Sequence, residues 1–133
     1  MCVLLIGSTN AVAGPKSREL LAKLFPSIDL SNEGLPFMGL VDTKLGDIPA
    51  RIYRISFSGE LAFEVNVESN YGLHLWKKIM ETGSEFGVQP YGTEALSTLR
   101  IEMGHVAGPA YFHFDTCPLI QPHPTHDPAK ARC

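Results

Sequence analysis

In Ile55-Ser56-Phe57-Ser58-Gly59-Glu60-Leu61-Ala62-Phe63-Glu64, Glu60 falls in a turn while Glu64 is the carboxylate that a strand would hold. A carboxylate held on a rigid element accepts two parallel hydrogen bonds from adjacent N–H donors. The 2-amino-4-oxo edge of a pterin offers such a pair. The competing reading is an ordinary cross-strand ion pair with Arg54, worth roughly 0.2–1 kcal/mol and needing no ligand. Arg100 is the second group of interest: a guanidinium at the edge of an apolar helix face can clamp a carboxylate in two-pronged fashion. Its alternative is a side chain lying along the helix and paired with Glu94 or Glu102.

Other reactive residue types are less ordered in their spacing. His113, Cys117, His123, His126 and Cys133 are metal-ligand types, but their spacing matches no zinc finger or ribbon, and no metal site is expected. Tyr91 and His105 are read as structural. There is no Gly-x-Gly-x-x-Gly, phosphate loop or Gly-x-Ser-x-Gly, which leaves no sign of a dinucleotide site, an ATP site or a nucleophile elbow. No catalytic residue is assigned.

The elements that would position Glu64 follow from periodicity. Leu61, Phe63, Val65 and Val67 alternate with Ala62, Glu64, Asn66 and Glu68, the pattern of a half-buried strand. Tyr53, Ile55 and Phe57 supply a matching apolar face on an incoming strand 48–57. A three-residue loop, Ser58-Gly59-Glu60, then closes a hairpin with Arg54 across from Glu64. Upstream, 3–6 reads as a short strand, 7–10 as a turn, and Ala11 to Ala13 as another strand. Gly14-Pro15 opens a helix, with Pro15 at its first position and Leu20, Leu21, Leu24 and Phe25 on one face. Residues 27–35 read as a polar connection, 37–45 as a strand, and Gly46-Asp47 as a turn. Ser69-Asn70 caps a helix over 71–85 with Leu75, Trp76, Ile79 and Met80 as its buried stripe. Thr93 caps a third helix, 94–103, with Ala95, Leu96, Leu99 and Met103 on its apolar face and Ile101 pointing nearly opposite. Beyond Pro109 the proline-rich tail has no period outside Ala110 to Phe114 and reads as irregular. Together these elements predict an α+β fold, an antiparallel sheet with helices packed on one face.

Length and charge narrow the function classes. The chain has 133 residues, enough for one domain or part of a larger one, and a formal charge of −3. That balance, with no basic run, argues against a nucleic-acid surface. No apolar run approaches a membrane span. The first residues lack the positive start of a secretion signal. Three cysteines, two of them near the ends of the sequence, do not make a disulfide framework. The expectation is a reducing, cytoplasmic setting.

Several stretches in order resemble a known family: Ala13-Gly14-Pro15-Lys16, then Arg54 through Glu64, then Pro90-Tyr91-Gly92-Thr93-Glu94-Ala95-Leu96, then Leu99-Arg100-Ile101-Glu102-Met103-Gly104. They look like the tetrahydrofolate-binding domain shared by the glycine-cleavage aminomethyltransferase (T-protein) and the sarcosine and dimethylglycine oxidising enzymes. Pro36-Phe37-Met38-Gly39 and Gly104-His105-Val106-Ala107-Gly108 look most like the alpha subunit of heterotetrameric sarcosine oxidase. The resemblance implies that Glu64 binds the pterin edge and that Arg100 helps hold the folate tail. Phe57, where relatives often carry Tyr, would pack on the ring without donating a hydrogen bond. It implies a partial folate-binding domain over 11–108, with 1–10 matching poorly and 109–133 an unrelated tail. Tetrahydrofolate is the implied cofactor. The family's aspartate associated with one-carbon chemistry has no counterpart here, and flavin is expected only in missing parts or partner subunits. The implied chain is a fragment of a sarcosine oxidase alpha-subunit-like enzyme within a hetero-oligomer, inactive alone. The alternatives are a non-catalytic folate-binding or interaction module and an aminomethyltransferase-like fragment.

Overall fold

The computed structural model describes residues 7–104. The element order is β1 (Gly7–Ala13), α1 (Ser17–Leu24), β2 (Leu40–Leu45), β3 (Ile48–Tyr53), β4 (Ala62–Glu68), α2 (Gly72–Gly83) and α3 (Thr93–Met103). The four strands form one sheet in the order β1-β4-β3-β2, and every pair is antiparallel. This is the expected α+β arrangement. Phe63, Val65 and Val67 turn to one side of β4 and join Val12, Ala50 and Ile52 from its neighbours in the core. Leu20, Leu21 and Phe25 from the α1 region and Leu75 and Ile79 from α2 cover that face. Burying each such side chain fully is worth about 1.5–3 kcal/mol, so the two amphipathic helices and the sheet hold one another.

Several local expectations are corrected. Residues 7–10 are not a turn: they pair with β4 as Gly7↔Glu68 through Asn10↔Val65, continuing to Ala13↔Ala62. The strongly apolar β4 needs a strand on this side, and pairing overrides the weak strand preference of Ser and Asn. Pro15 is not the first helical residue. Lys16 occupies the N-cap, and α1 starts at Ser17, whose Oγ donates to the Leu61 carbonyl at 2.9 Å. Ser69-Asn70 form a short 3-10 turn leading into α2 rather than its cap. Gly92 precedes α3 as its N-cap, one residue before Thr93.

The 27–35 connection is less polar than it reads, since Leu30 and Leu35 are buried in the core. An Asp29 turn folds them inward. The Ser31 backbone N–H and hydroxyl both donate to the Asp29 carboxylate, at 2.8 and 2.9 Å, and the Leu35 N–H donates to the Ser31 carbonyl.

The strand expected over 37–45 begins only at Leu40, because the chain turns at Met38 with φ 65°. The strand expected over 48–57 ends at Tyr53. In place of a three-residue loop, 54–61 is an irregular connection, with Gly59 at φ 86°. The β3–β4 register is therefore Tyr53↔Glu64 and Ile52↔Val65, not Arg54 against Glu64. Shifting an antiparallel pair by one residue reverses which strand face meets the core. Ala50 and Ile52, rather than Tyr53 and Ile55, are accordingly the inward residues of β3.

Leu75 and Ile79 of α2 are buried as expected, whereas Trp76 is 41% exposed. α3 buries no residue: Leu96, Leu99 and Arg100 are half-covered, and Ile101 is 64% exposed on the wet side, as its spacing predicts. The expected strand at 3–6, His105, the Ala110 to Phe114 stretch, the three cysteines and the histidines of the tail lie outside the described residues. No helix among the described residues is long and apolar enough to cross a membrane.

Candidate functional site

Glu64 sits midway along β4, and strands flank β4 on both sides, so its backbone is fixed by two ladders. Because Phe63 and Val65 point into the core, Glu64 projects from the opposite, open face of the sheet. Its neighbours across the strands are Ala11 of β1 and Tyr53 of β3, with Leu40 of β2 beyond Tyr53. The row Leu40, Tyr53, Glu64, Ala11 is thus apolar or aromatic apart from the one carboxylate.

The next row along the same face is polar. Arg51 Nε donates to Asp42 Oδ1 at 2.6 Å and Nη2 to Oδ2 at 3.2 Å, a fork-on-carboxylate pair. That hydrogen bond holds the Asp42 carboxyl below the usual carboxylate range and, with Tyr53, raises the Arg51 guanidinium. Thr9 and Asn66 complete the row through a side-chain hydrogen bond. A shallow hollow of about 580 Å³ spreads over this face, lined by Arg51, Tyr53, Asn66 and Glu68 among others. Glu64 lies beside it rather than among its lining residues.

Arg54 settles one alternative. Its guanidinium donates through Nη1 to the Leu35 carbonyl at 2.9 Å, and its backbone N–H and C=O bond to Gly39 and Met38. It ties the turn at Pro36–Gly39 to the end of β3 and does not pair with Glu64. Among the described residues, Glu64 makes no hydrogen bond or ion pair. Both carboxylate oxygens therefore keep their acceptor capacity. Buried Arg54 Nε, Ser56 Oγ and Ser58 Oγ have no hydrogen-bond partner among the described residues, which leaves unmet polar capacity along the connection that leads to Glu64.

Phe57 lies on that connection and is partly exposed. Arg100 lies on α3, half-buried. These two elements meet where the last turn of α3 reaches the loop: a Cβ placed on Gly59 would lie 2.7 Å from the Met103 sulfur. The structure thus brings the loop of Phe57 against the helix of Arg100, and Glu64 sits on the strand that leaves this loop. A second hollow, about 570 Å³, opens along the edge of β1 that no other strand among the described residues pairs with. Sequence reasoning missed it because it assigned Trp76, one of its walls, to the core. No group of three or more His, Cys, Asp or Glu among the described residues is placed to hold a metal ion.

A family model described as the GCVT N-terminal domain matches residues 8–120. Sarcosine oxidase subunit alpha of Corynebacterium sp. (strain U-96) is 48% identical over 100 residues, which are 74% of this chain and 10% of that protein. Mitochondrial dimethylglycine dehydrogenase of Rattus norvegicus is 39% identical over 108 residues, 81% of this chain and 12% of that protein. Aminomethyltransferase of Thermoanaerobacter sp. (strain X514) is 39% identical over 95 residues, 71% of this chain and 25% of that protein. The chain spans about a tenth of the length of the sarcosine oxidase subunits it matches.

Proposed function

The chain belongs to the GCVT N-terminal domain family, and on that premise we propose that it supplies part of a tetrahydrofolate site in a sarcosine oxidase alpha-subunit-like enzyme. The observation that carries the reading is the uncommitted carboxylate of Glu64, fixed between two strand ladders on the open face of the sheet. It accepts two N–H donors from the pterin edge, while the neighbouring Tyr53 ring and the small Ala11 leave room for a flat ligand beside it. Phe57 packs on the pteridine ring, and Arg100 holds the acidic tail of the folate. Tetrahydrofolate, when bound, supplies the amine that accepts a one-carbon unit. This chain's own residues bind and orient; the oxidation of an N-methyl substrate belongs to flavin-carrying parts or partner subunits of a hetero-oligomer. The isolated chain binds without turnover, because positioning a reacting carbon requires walls beyond those it provides.

The test is calorimetric titration of the chain with a reduced folate. Saturable binding is expected, and Glu64→Gln weakens it about tenfold or more, since a hydrogen bond to a charged group contributes roughly 1.5–3 kcal/mol. Equal affinity in the variant would remove Glu64 from the site.

A further inference from the structure

We infer that the hollow along the edge of β1 is a second small-molecule site, apart from Glu64, that takes a flat aromatic organic anion. Its volume of about 570 Å³ falls within the roughly 300–1,000 Å³ usual for such sites. Trp76 and Met80 of α2, Tyr91, and Leu96 of α3 form its apolar walls. Both aromatic residues are 41% exposed, so each leaves ring surface that a flat ligand would cover. Among the described residues β1 is an edge strand, and its outward backbone groups, which no described strand uses, line the floor.

Charge selects the ligand. The whole chain carries 14 acidic against 11 basic residues, yet the described residues of the lining include no Asp or Glu and one cation, Lys16. Lys16 makes no ion pair among the described residues. The first turns of α1 and α3 open on the same space and add partial positive charge of the same sign. A cation would find no carboxylate among the described lining residues, and a neutral ring would leave Lys16 unanswered. Glu64 is not among the lining residues, although its cross-strand neighbour Ala11 is, and the inference rests on Trp76, Tyr91 and Lys16 rather than on the folate reading.

Trp76 is the only tryptophan of the chain, so its emission reports this hollow alone. The full chain is titrated with 8-anilinonaphthalene-1-sulfonate, following Trp76 quenching and energy transfer to the dye. Quenching is expected to saturate at a single site. Lys16→Glu should weaken it about fivefold, the scale of one exposed charge pair. The uncharged analogue N-phenyl-1-naphthylamine should bind the original chain more weakly than the sulfonate and be indifferent to Lys16→Glu. Glu64→Ala should leave the titration unchanged. Lys16 is exposed and an acid at a helix start favours the helix, so the variant keeps its fold, which its circular dichroism and melting temperature verify. Unsaturable quenching, equal affinity in Lys16→Glu, or equal binding of the neutral dye would each overturn the assignment.

Discussion

Gly34 closes a turn around the Asp29 carboxylate, and the fit leaves no room for a side chain. A Cβ there would lie 2.5 Å from the Asp29 carboxyl and 2.6 Å from its carbonyl oxygen. Gly34→Ala is therefore expected to destabilise the chain by about 1–3 kcal/mol through overpacking, read as a lower urea midpoint. Asp29 adds a pH signature. Its carboxyl lies below the usual range, chiefly because the Ser31 backbone N–H donates to it and then because the Ser31 hydroxyl does. A carboxyl whose folded pKa is depressed contributes stability that is fully present above its unfolded pKa and is lost as pH falls through the folded one. Asp29→Ala should accordingly be less stable than the original chain near about pH 7, and the gap should narrow on acidification below the ordinary carboxylate range. A gap that stays constant down to the acid limit would show that the carboxylate charge plays no part in the turn. Glu64 differs from both in having no partner among the described residues, which leaves it available for a ligand rather than committed to the fold.

α1 and α2 are held by buried stripes, whereas α3 has none and makes no extensive contact with any other element. Local stability follows buried apolar contact. The amides of Leu96–Met103 should then exchange hydrogen faster than those of Leu75–Gly83, measured by exchange and mass spectrometry; equal protection would mean that α3 unfolds only with the core. The sequence is readable where one periodicity governs an element. The alternation along β4 placed Phe63, Val65 and Val67 inside and Glu64 outside, and the helical stripe placed Leu20, Leu21, Leu75 and Ile79. It misleads where the chain is irregular. The 54–61 connection has no period from which a register can be counted, so the sequence reads as a tight hairpin with Arg54 against Glu64 where the register is Tyr53↔Glu64. Leu30 and Leu35 are buried by side-chain-to-backbone hydrogen bonds around Asp29, which leave no apolar spacing to see. Trp76 lies one step round the helix from Leu75, and that step takes it from the core stripe to the wall of a hollow.

At the scale of the whole molecule, burial is lopsided. One face of the sheet is sealed by two helices, while large apolar side chains remain uncovered elsewhere: Met38 is 63% exposed at the turn before β2, and Ile101 is 64% and Met103 47% exposed on α3. Single exposed apolar residues are ordinary, but a loosely held helix that exposes Ile101 on one side and Met103 on the other offers apolar surface on both, which favours association. The chain is therefore expected to sediment with a mass that rises with concentration. The double change Ile101→Lys with Met103→Lys should restore a monomer. Because neither side chain belongs to the core, the melting temperature should barely move, surface changes of this kind usually falling within about 0.5 kcal/mol. A monomer at every concentration would mean that these separate apolar side chains are too few to drive contact. Association undiminished by the double change would instead locate the contact at the Phe37–Leu40 corner, where Phe37, Met38 and Leu40 are all exposed. The two corners can be separated by the same sedimentation measurement on Met38→Lys, which should lower the association only in the second case.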